Sequence, residues 1–248
     1  LTPQANTTVE PEMAILTPPG QAVVNARLIS DKPTIPERLK DYFAGYGAAL
    51  SQFANAPINA AGYACTGASY LAGAKAEDDL LATLSAKHGI PVVTAASAVI
   101  DALTVLGAHR IALLSPYDDA LDEASATYWA SRGLDVAARV SAYRETTAFH
   151  PIYSMSAGEA GAMLGEAGDV GADAIVMLGT GMPTLGPIAT TPNVGGAPLL
   201  SCMFALAWRL FIAARGEAPS RDNLMAFHND AAWRARLAAA TPSAPSTP

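Results

Sequence analysis

Tyr63-Ala64-Cys65-Thr66-Gly67 in the first half of the chain is answered by Met177-Leu178-Gly179-Thr180-Gly181 in the second. Each stretch follows an apolar run and leads toward a helix. Two further pairs keep the same order: Leu1-Thr2-Pro3 with Leu114-Ser115-Pro116, and Pro91-Val92-Val93-Thr94 with Pro198-Leu199-Leu200-Ser201. The offsets are 114, 113 and 107 residues. Three matches at nearly one spacing predict a duplicated α/β unit whose strand ends face one cleft. The copies differ where it matters most, because Cys65 is matched by Gly179.

The surrounding pattern agrees. Apolar β-rich runs at 23–29, 58–64, 91–93, 111–114, 136–143, 174–178 and 198–200 alternate with helix-like stretches at 36–55, 70–88, 97–107, 119–132, 157–170 and 203–215. Such alternation predicts parallel β-α-β units. The expected architecture is α/β, with two pseudo-symmetric Rossmann-like lobes and the site between them. Residues 1–108 with 209–240 would form the first lobe, 109–208 the second, and 241–248 a disordered tail rich in Pro, Ser and Thr. Leu114 follows the strand-like run 110–113, so matching strand residues of the first copy are expected upstream of Leu1.

Composition narrows the function. Of 248 residues, 51% are hydrophobic and 15% charged, as expected for a globular chain with a large core. Twenty-two acidic and 15 basic residues give a net charge of −7, and no Lys/Arg cluster offers a face for nucleic acid. The apolar run 199–214 is interrupted by Arg209 and is too short for a membrane span, so it is expected to be a buried helix. Two cysteines make no disulfide framework, and the first 30 residues lack a secretory pattern, so a cytoplasmic location is expected.

Cys65 is expected at a strand-to-helix turn of small residues. Helix N–H groups there would favour a thiolate, suited to a base or nucleophile, and could also hold a carboxylate. A small buried hydrophobe is the competing reading. The turn Gly179-Thr180-Gly181 carries no titratable side chain but can present backbone N–H donors at close range, as an oxyanion hole or simply as a tight turn. Asn6, Thr7 and Tyr117 lie in loops expected at the same cleft edge, where they are carboxylate donors or turn residues.

Other motifs fail. Gly179-x-Gly181-x-x-Thr184 is one glycine short of a dinucleotide fingerprint and lacks its acidic partner. The segment after Gly67 lacks the last glycine of a nucleophile elbow. Asp118, Asp119, Asp122 and Glu123 suit a helix start better than a metal, and the four histidines show no ligand spacing. Cys202 pairs with Ala95 and reads as packing.

Over 1–210 the chain resembles the aspartate/glutamate racemase superfamily, in its maleate cis–trans isomerase and arylmalonate decarboxylase branch. The resemblance is carried by Thr2-Pro3-Gln4-Ala5-Asn6-Thr7-Thr8-Val9-Glu10-Pro11-Glu12, by Ala64-Cys65-Thr66-Gly67-Ala68-Ser69 and by Ser115-Pro116-Tyr117. It implies two lobes, no cofactor and no metal, and a small carboxylate or dicarboxylate as partner. A homo-oligomer is left open. By resemblance Cys65 is the catalytic thiol, with Asn6, Thr66, Gly67, Tyr117, Gly179, Thr180 and Gly181 around the substrate. Gly179 stands where the branch usually has a second cysteine. That argues against symmetric racemisation, because glycine cannot deliver a proton to the opposite face. Arylmalonate-type decarboxylation, with Cys65 protonating an enediolate, is the first expectation. Maleate isomerisation by addition of Cys65 to the double bond is the alternative, and a non-catalytic carboxylate-binding protein the third reading.

Overall fold

The computed structural model describes residues 1–145, 150–167 and 170–240. The expected 241–248 tail lies outside them. The first half runs β1 (Thr2–Pro3), α1 (Val9–Leu16), β2 (Arg27–Leu28), α2 (Ile35–Ala44), α3 (Tyr46–Leu50), β3 (Ala61–Tyr63), α4 (Thr66–Ala72), α5 (Ala74–His88), β4 (Val92–Thr94) and α6 (Ala95–Leu106). The second half runs β5 (Arg110–Ser115), α7 (Asp119–Ser131), β6 (Asp135–Ser141), α8 (Ala157–Ala167), β7 (Ala174–Met177), α9 (Leu185–Thr190), β8 (Asn193–Val194), β9 (Ala197–Ser201) and α10 (Cys202–Ala214). Helices α11 (Arg221–His228) and α12 (Ala231–Ala240) complete it.

The duplication is visible in the hydrogen bonds. The second-half sheet has the order β6-β5-β7-β9-β8, all parallel except the β8–β9 pair. In the first half β1 pairs in parallel with β2, and β3 with β4. Leu1 joins these pairs, since Ala64 N–H donates to Leu1 O at 2.8 Å and the Leu1 ammonium donates to Gly62 O at 2.6 Å. The resulting order β2-β1-β3-β4 repeats β6-β5-β7-β9. Leu178 N–H donates to Leu114 O at the same 2.8 Å, 114 residues after the Ala64 bond. The following helices also match: Thr94 caps α6 through Ser97 N–H, and Ser201 caps α10 through Phe204 N–H.

The chain buries two apolar clusters. One joins β5, β7 and β9 to α6 and α10, around Trp129, Trp208 and Phe204. The other lies around Tyr46, Tyr63, Leu39 and Leu50 under β1 and β3. A fully buried Glu77 receives bonds from Thr94 and Tyr128 and pairs with Arg132 at 2.7 Å, so its charge is compensated on several sides.

Several expectations need correction. The expected strand 23–29 is paired only at Arg27–Leu28, and 58–64 only at Ala61–Tyr63, because β1 offers only two residues of backbone between them. Their unpaired ends instead border a cavity of about 670 Å³. The stretch 36–55 divides at Gly45 into α2 and α3. The helix expected from Tyr70 begins at Thr66, immediately after Cys65, and breaks at Gly73 before α5. The run 199–214 is the end of β9 followed by α10 rather than one helix. Among the described residues no helix is long and apolar enough to cross a membrane.

Candidate active site

Strand β3 ends at Tyr63, and two residues later Cys65 forms the N-cap of α4. The matching strand β7 ends at Met177, and Gly179 follows with φ +81°, a conformation that glycine adopts without steric cost. Both turns line one pocket of about 200 Å³, which contains Cys65, Thr66, Gly67, Tyr117, Gly179, Thr180 and Gly181. Seven of the eight expected site residues therefore meet around one space.

Asn6 is placed differently. It is buried and absent from the pocket wall; its Nδ2 donates to Thr180 Oγ1 at 3.2 Å, and its Oδ1 accepts from Thr8 and Val9 N–H. Thr180 Oγ1 in turn donates to Ala64 O at 2.7 Å, and Thr8 Oγ1 donates to Gly181 O at 2.8 Å. These bonds lash the 179–181 turn to the loop and strand end of the other half. The Thr180 hydroxyl is thus occupied by Asn6 and Ala64. Across the pocket Thr66 Oγ1 and Tyr117 Oη are 2.8 Å apart.

Positions 179 and 181 are glycine where neighbouring side chains fill the space a Cβ would take. A Cβ at 179 would lie 2.6 Å from Ile152 Cδ1 and 3.0 Å from Tyr117 Oη; one at 181 would lie 2.5 Å from Tyr153 Cε1. Gly67 is similarly overlaid by Leu39.

The thiol departs from the sequence-based expectation. Cys65 is only 4% exposed. Burial pushes its thiol up to about 12, and the opposing bond from Ala68 N–H is too weak to reverse this. Desolvation of the anion outweighs the helix-end donors, so the resting sulfur is a neutral S–H rather than the thiolate expected from position alone. Cys202 is fully buried and lies outside the pocket wall. The Gly179 N–H and the Tyr70 and Thr66 hydroxyls face its sulfur, yet burial also pushes it up to about 12.

Apolar side chains that no motif revealed complete the lining: Ile35 and Leu39 from α2, Leu121 from α7, and Ile152 and Tyr153 from the short 3₁₀ turn Pro151–Ser154. His150 joins them with its imidazole lowered to about 4, mainly by burial and then by the charge of Arg38. Among the described residues lining the pocket there is no lysine or arginine. The acidic group proposed as a helix start is that: Asp118 caps α7 through Leu121 N–H. Neutral donors and a neutral thiol set among apolar side chains suit a substrate that carries both a carboxylate and a hydrophobic group.

The sequence profile of arylmalonate decarboxylases matches residues 3–224. A maleate isomerase of Pseudomonas putida is 29% identical over 155 residues, which are 55% of this chain and 59% of that protein. The fold is similar to that of a Nocardia farcinica maleate cis-trans isomerase carrying a covalently bound succinylcysteine intermediate. That comparison has TM-score 0.75 and 23% identity, covering 90% of this chain and 95% of the other. It is also similar to an arylmalonate decarboxylase, with TM-score 0.73 and 19% identity, covering 90% and 94%.

Proposed function

The chain belongs to the arylmalonate decarboxylase family, and on that premise we propose that it removes carbon dioxide from a malonate-type acid with an apolar substituent, using Cys65 as proton donor. One observation carries this reading. A single pocket is lined both by the buried thiol of Cys65 and by the 179–181 turn, whose positions 179 and 181 carry no side chain. Breaking the bond from the α-carbon to one carboxylate leaves its electron pair on that carbon, delocalised into the remaining carboxylate as an enediolate. The Thr180 and Gly181 amides and the Thr66 and Tyr117 hydroxyls stabilise that charge, and each such donor is worth on the order of 10²-fold in rate. Cys65 then gives its proton to the α-carbon, and the thiolate is reprotonated by water. A thiol held neutral at working pH is what a donor requires, and the carbanion is basic enough to take its proton.

Cis–trans isomerisation of a maleate-like dicarboxylate is the second reading, favoured by the 29% identical relative. It asks Cys65 to act first as a thiolate, and asks the pocket to take a second carboxylate beside Ile35, Leu39 and Leu121, where the described lining residues include no lysine or arginine.

The test is incubation with phenylmalonate, maleate, aspartate and glutamate in deuterated water, followed by NMR. Decarboxylation yields a monocarboxylate with one deuterium at the α-carbon, isomerisation yields the trans acid, and racemisation gives α-deuteration without loss of carbon. Cys65→Ala should keep carboxylate binding and lose turnover. Conversion of maleate with phenylmalonate untouched would overturn the first reading. Binding without turnover of any substrate would favour a binding protein.

A further inference from the structure

We propose that Glu12 is a positioning residue for the 179–181 turn: it holds the segment that follows the turn against α1 and so fixes where the turn's amides point. The inference rests on the reading above, in which those amides receive the developing charge.

Glu12 is a fully buried carboxylate that serves no surface or salt-bridge role. Its Oε1 accepts from Thr184 N–H at 2.5 Å and Leu185 N–H at 3.1 Å, while Thr184 Oγ1 lies 3.2 Å from its other oxygen and 2.8 Å from Ser201 Oγ. Three residues before Thr184, Thr8 from the same loop holds Gly181 O. The turn is thus bounded on its C-terminal side by two anchors from one element of the other half, and Glu12 supplies the one with charge-assisted bonds.

The charged groups around it are engaged elsewhere. Glu10, on the same helix, pairs with Arg27. On α12, Arg236 donates to Ile15 O, and Arg234 to Ala189 O and His228 O. On α10, Arg209 pairs with Asp101, and Cys202 faces Gly179. On α8, which packs on α9, Glu159 accepts from Ser156. Burial raises Glu12 to about 7 against its three bonds, so both protonation states are reachable near neutrality. Ionised, it accepts from Thr184 Oγ1. Protonated, it donates to that hydroxyl, which then donates to Ser201 Oγ. The hydrogen-bond direction behind the turn therefore follows the proton.

The experiment uses the whole chain labelled with ¹⁵N, as wild type, Glu12→Gln and Glu12→Ala. Gln keeps the accepting oxygen and a donor, mimicking the protonated acid. Between about pH 5 and about pH 9 the Thr180 and Gly181 amide resonances should titrate with a midpoint near 7 in wild type and stay flat in Glu12→Gln. With the substrate that the panel identifies, Glu12→Ala should lower kcat roughly 10- to 100-fold with KM changed less than about threefold. Should Glu12→Ala fail to fold, the Gln variant and the resonances decide. Flat wild-type resonances, titration that survives in Glu12→Gln, or a folded Glu12→Ala with kcat near wild type overturns the assignment. Absence of turnover by wild type sinks the enediolate reading instead, and the resonances still judge Glu12.

Discussion

Raising the pH around Cys65 is the most direct challenge to the proton-donor reading. Its thiol moves from an ordinary 9.0 to about 12 through burial. At 1.36 kcal/mol per pH unit that is about 4 kcal/mol of preference for the neutral form. At about pH 8 a free thiol is roughly one-tenth thiolate, whereas Cys65 should be about one part in 10⁴. Iodoacetamide at neutral pH should therefore label Cys65 roughly 10³-fold more slowly than free cysteine, and limited access to a 4% exposed residue adds to the protection. Thiolate absorbance near 240 nm, compared with Cys65→Ser, separates the two contributions because it does not require reagent entry. The folded chain holds a proton that the unfolded chain releases near 9. Stability is therefore full below that pH and falls as the pH climbs from 9 toward 12, less steeply in Cys65→Ser. A Cys65 absorbance midpoint below about 8 would refute the reasoning, since the helix-end donors would then have beaten desolvation and the sulfur would be poised to attack rather than to donate.

Glu12 gives a second pH signature in the opposite half of the scale. Its folded value lies at about 7 against 4.5 unfolded, so stability should decline as pH rises from 4.5 to 7, by about 3 kcal/mol, and denaturant midpoints of Glu12→Gln should lack that decline. Tyr117→Phe removes the hydroxyl that lies 2.8 Å from Thr66 Oγ1 and should cost on the order of 10²-fold in kcat, while an unchanged rate would remove Tyr117 from the charge-stabilising set. Glu77→Gln leaves Arg132 paired with Asp78 alone and weakens the acceptor for the Thr94 and Tyr128 hydroxyls, and should destabilise by about 1–3 kcal/mol in urea melts without altering the chemistry. Gly179→Cys should lose about 2–4 kcal/mol, from a positive φ and contact with Ile152, and Ile152→Ala should recover part of it in the double variant.

The fold was legible because its parallel strands are short, buried and punctuated. Gly89 and Gly133 adopt the left-handed conformation expected where α5 and α7 end, and the matched strand ends Tyr63 and Met177 occupy matched places. Strand extent was not legible, since pairing depends on a neighbour and not on the propensity of Val23 and Val24, which remain exposed. The turns of the site were readable as a repeat. Its wall was not, because Ile35, Leu121 and Ile152 meet only in three dimensions and carry no motif. The ionisation of Cys65 was also misjudged, because sequence reveals a helix start but not how completely the sulfur is covered. Helix α12 was missed for want of an amphipathic stripe, and α11 was missed although Leu224 and His228 share its buried face and Ser220 and Asn223 form a capping box at its start.

The crowding around residue 179 has an evolutionary corollary. Two halves descended from one ancestor now accept change unequally. At 65 the proposed chemistry needs an element, sulfur, whereas at 179 it needs an emptiness that Ile152 and Pro116 have closed around. A saturation library should find position 180 most tolerant of Ser, which keeps the hydroxyl that holds Ala64 O, and position 179 strained by every side chain through its positive φ and its contact with Ile152. Any lineage regaining a pair of sulfurs would have to clear Ile152 before it could profit from the codon.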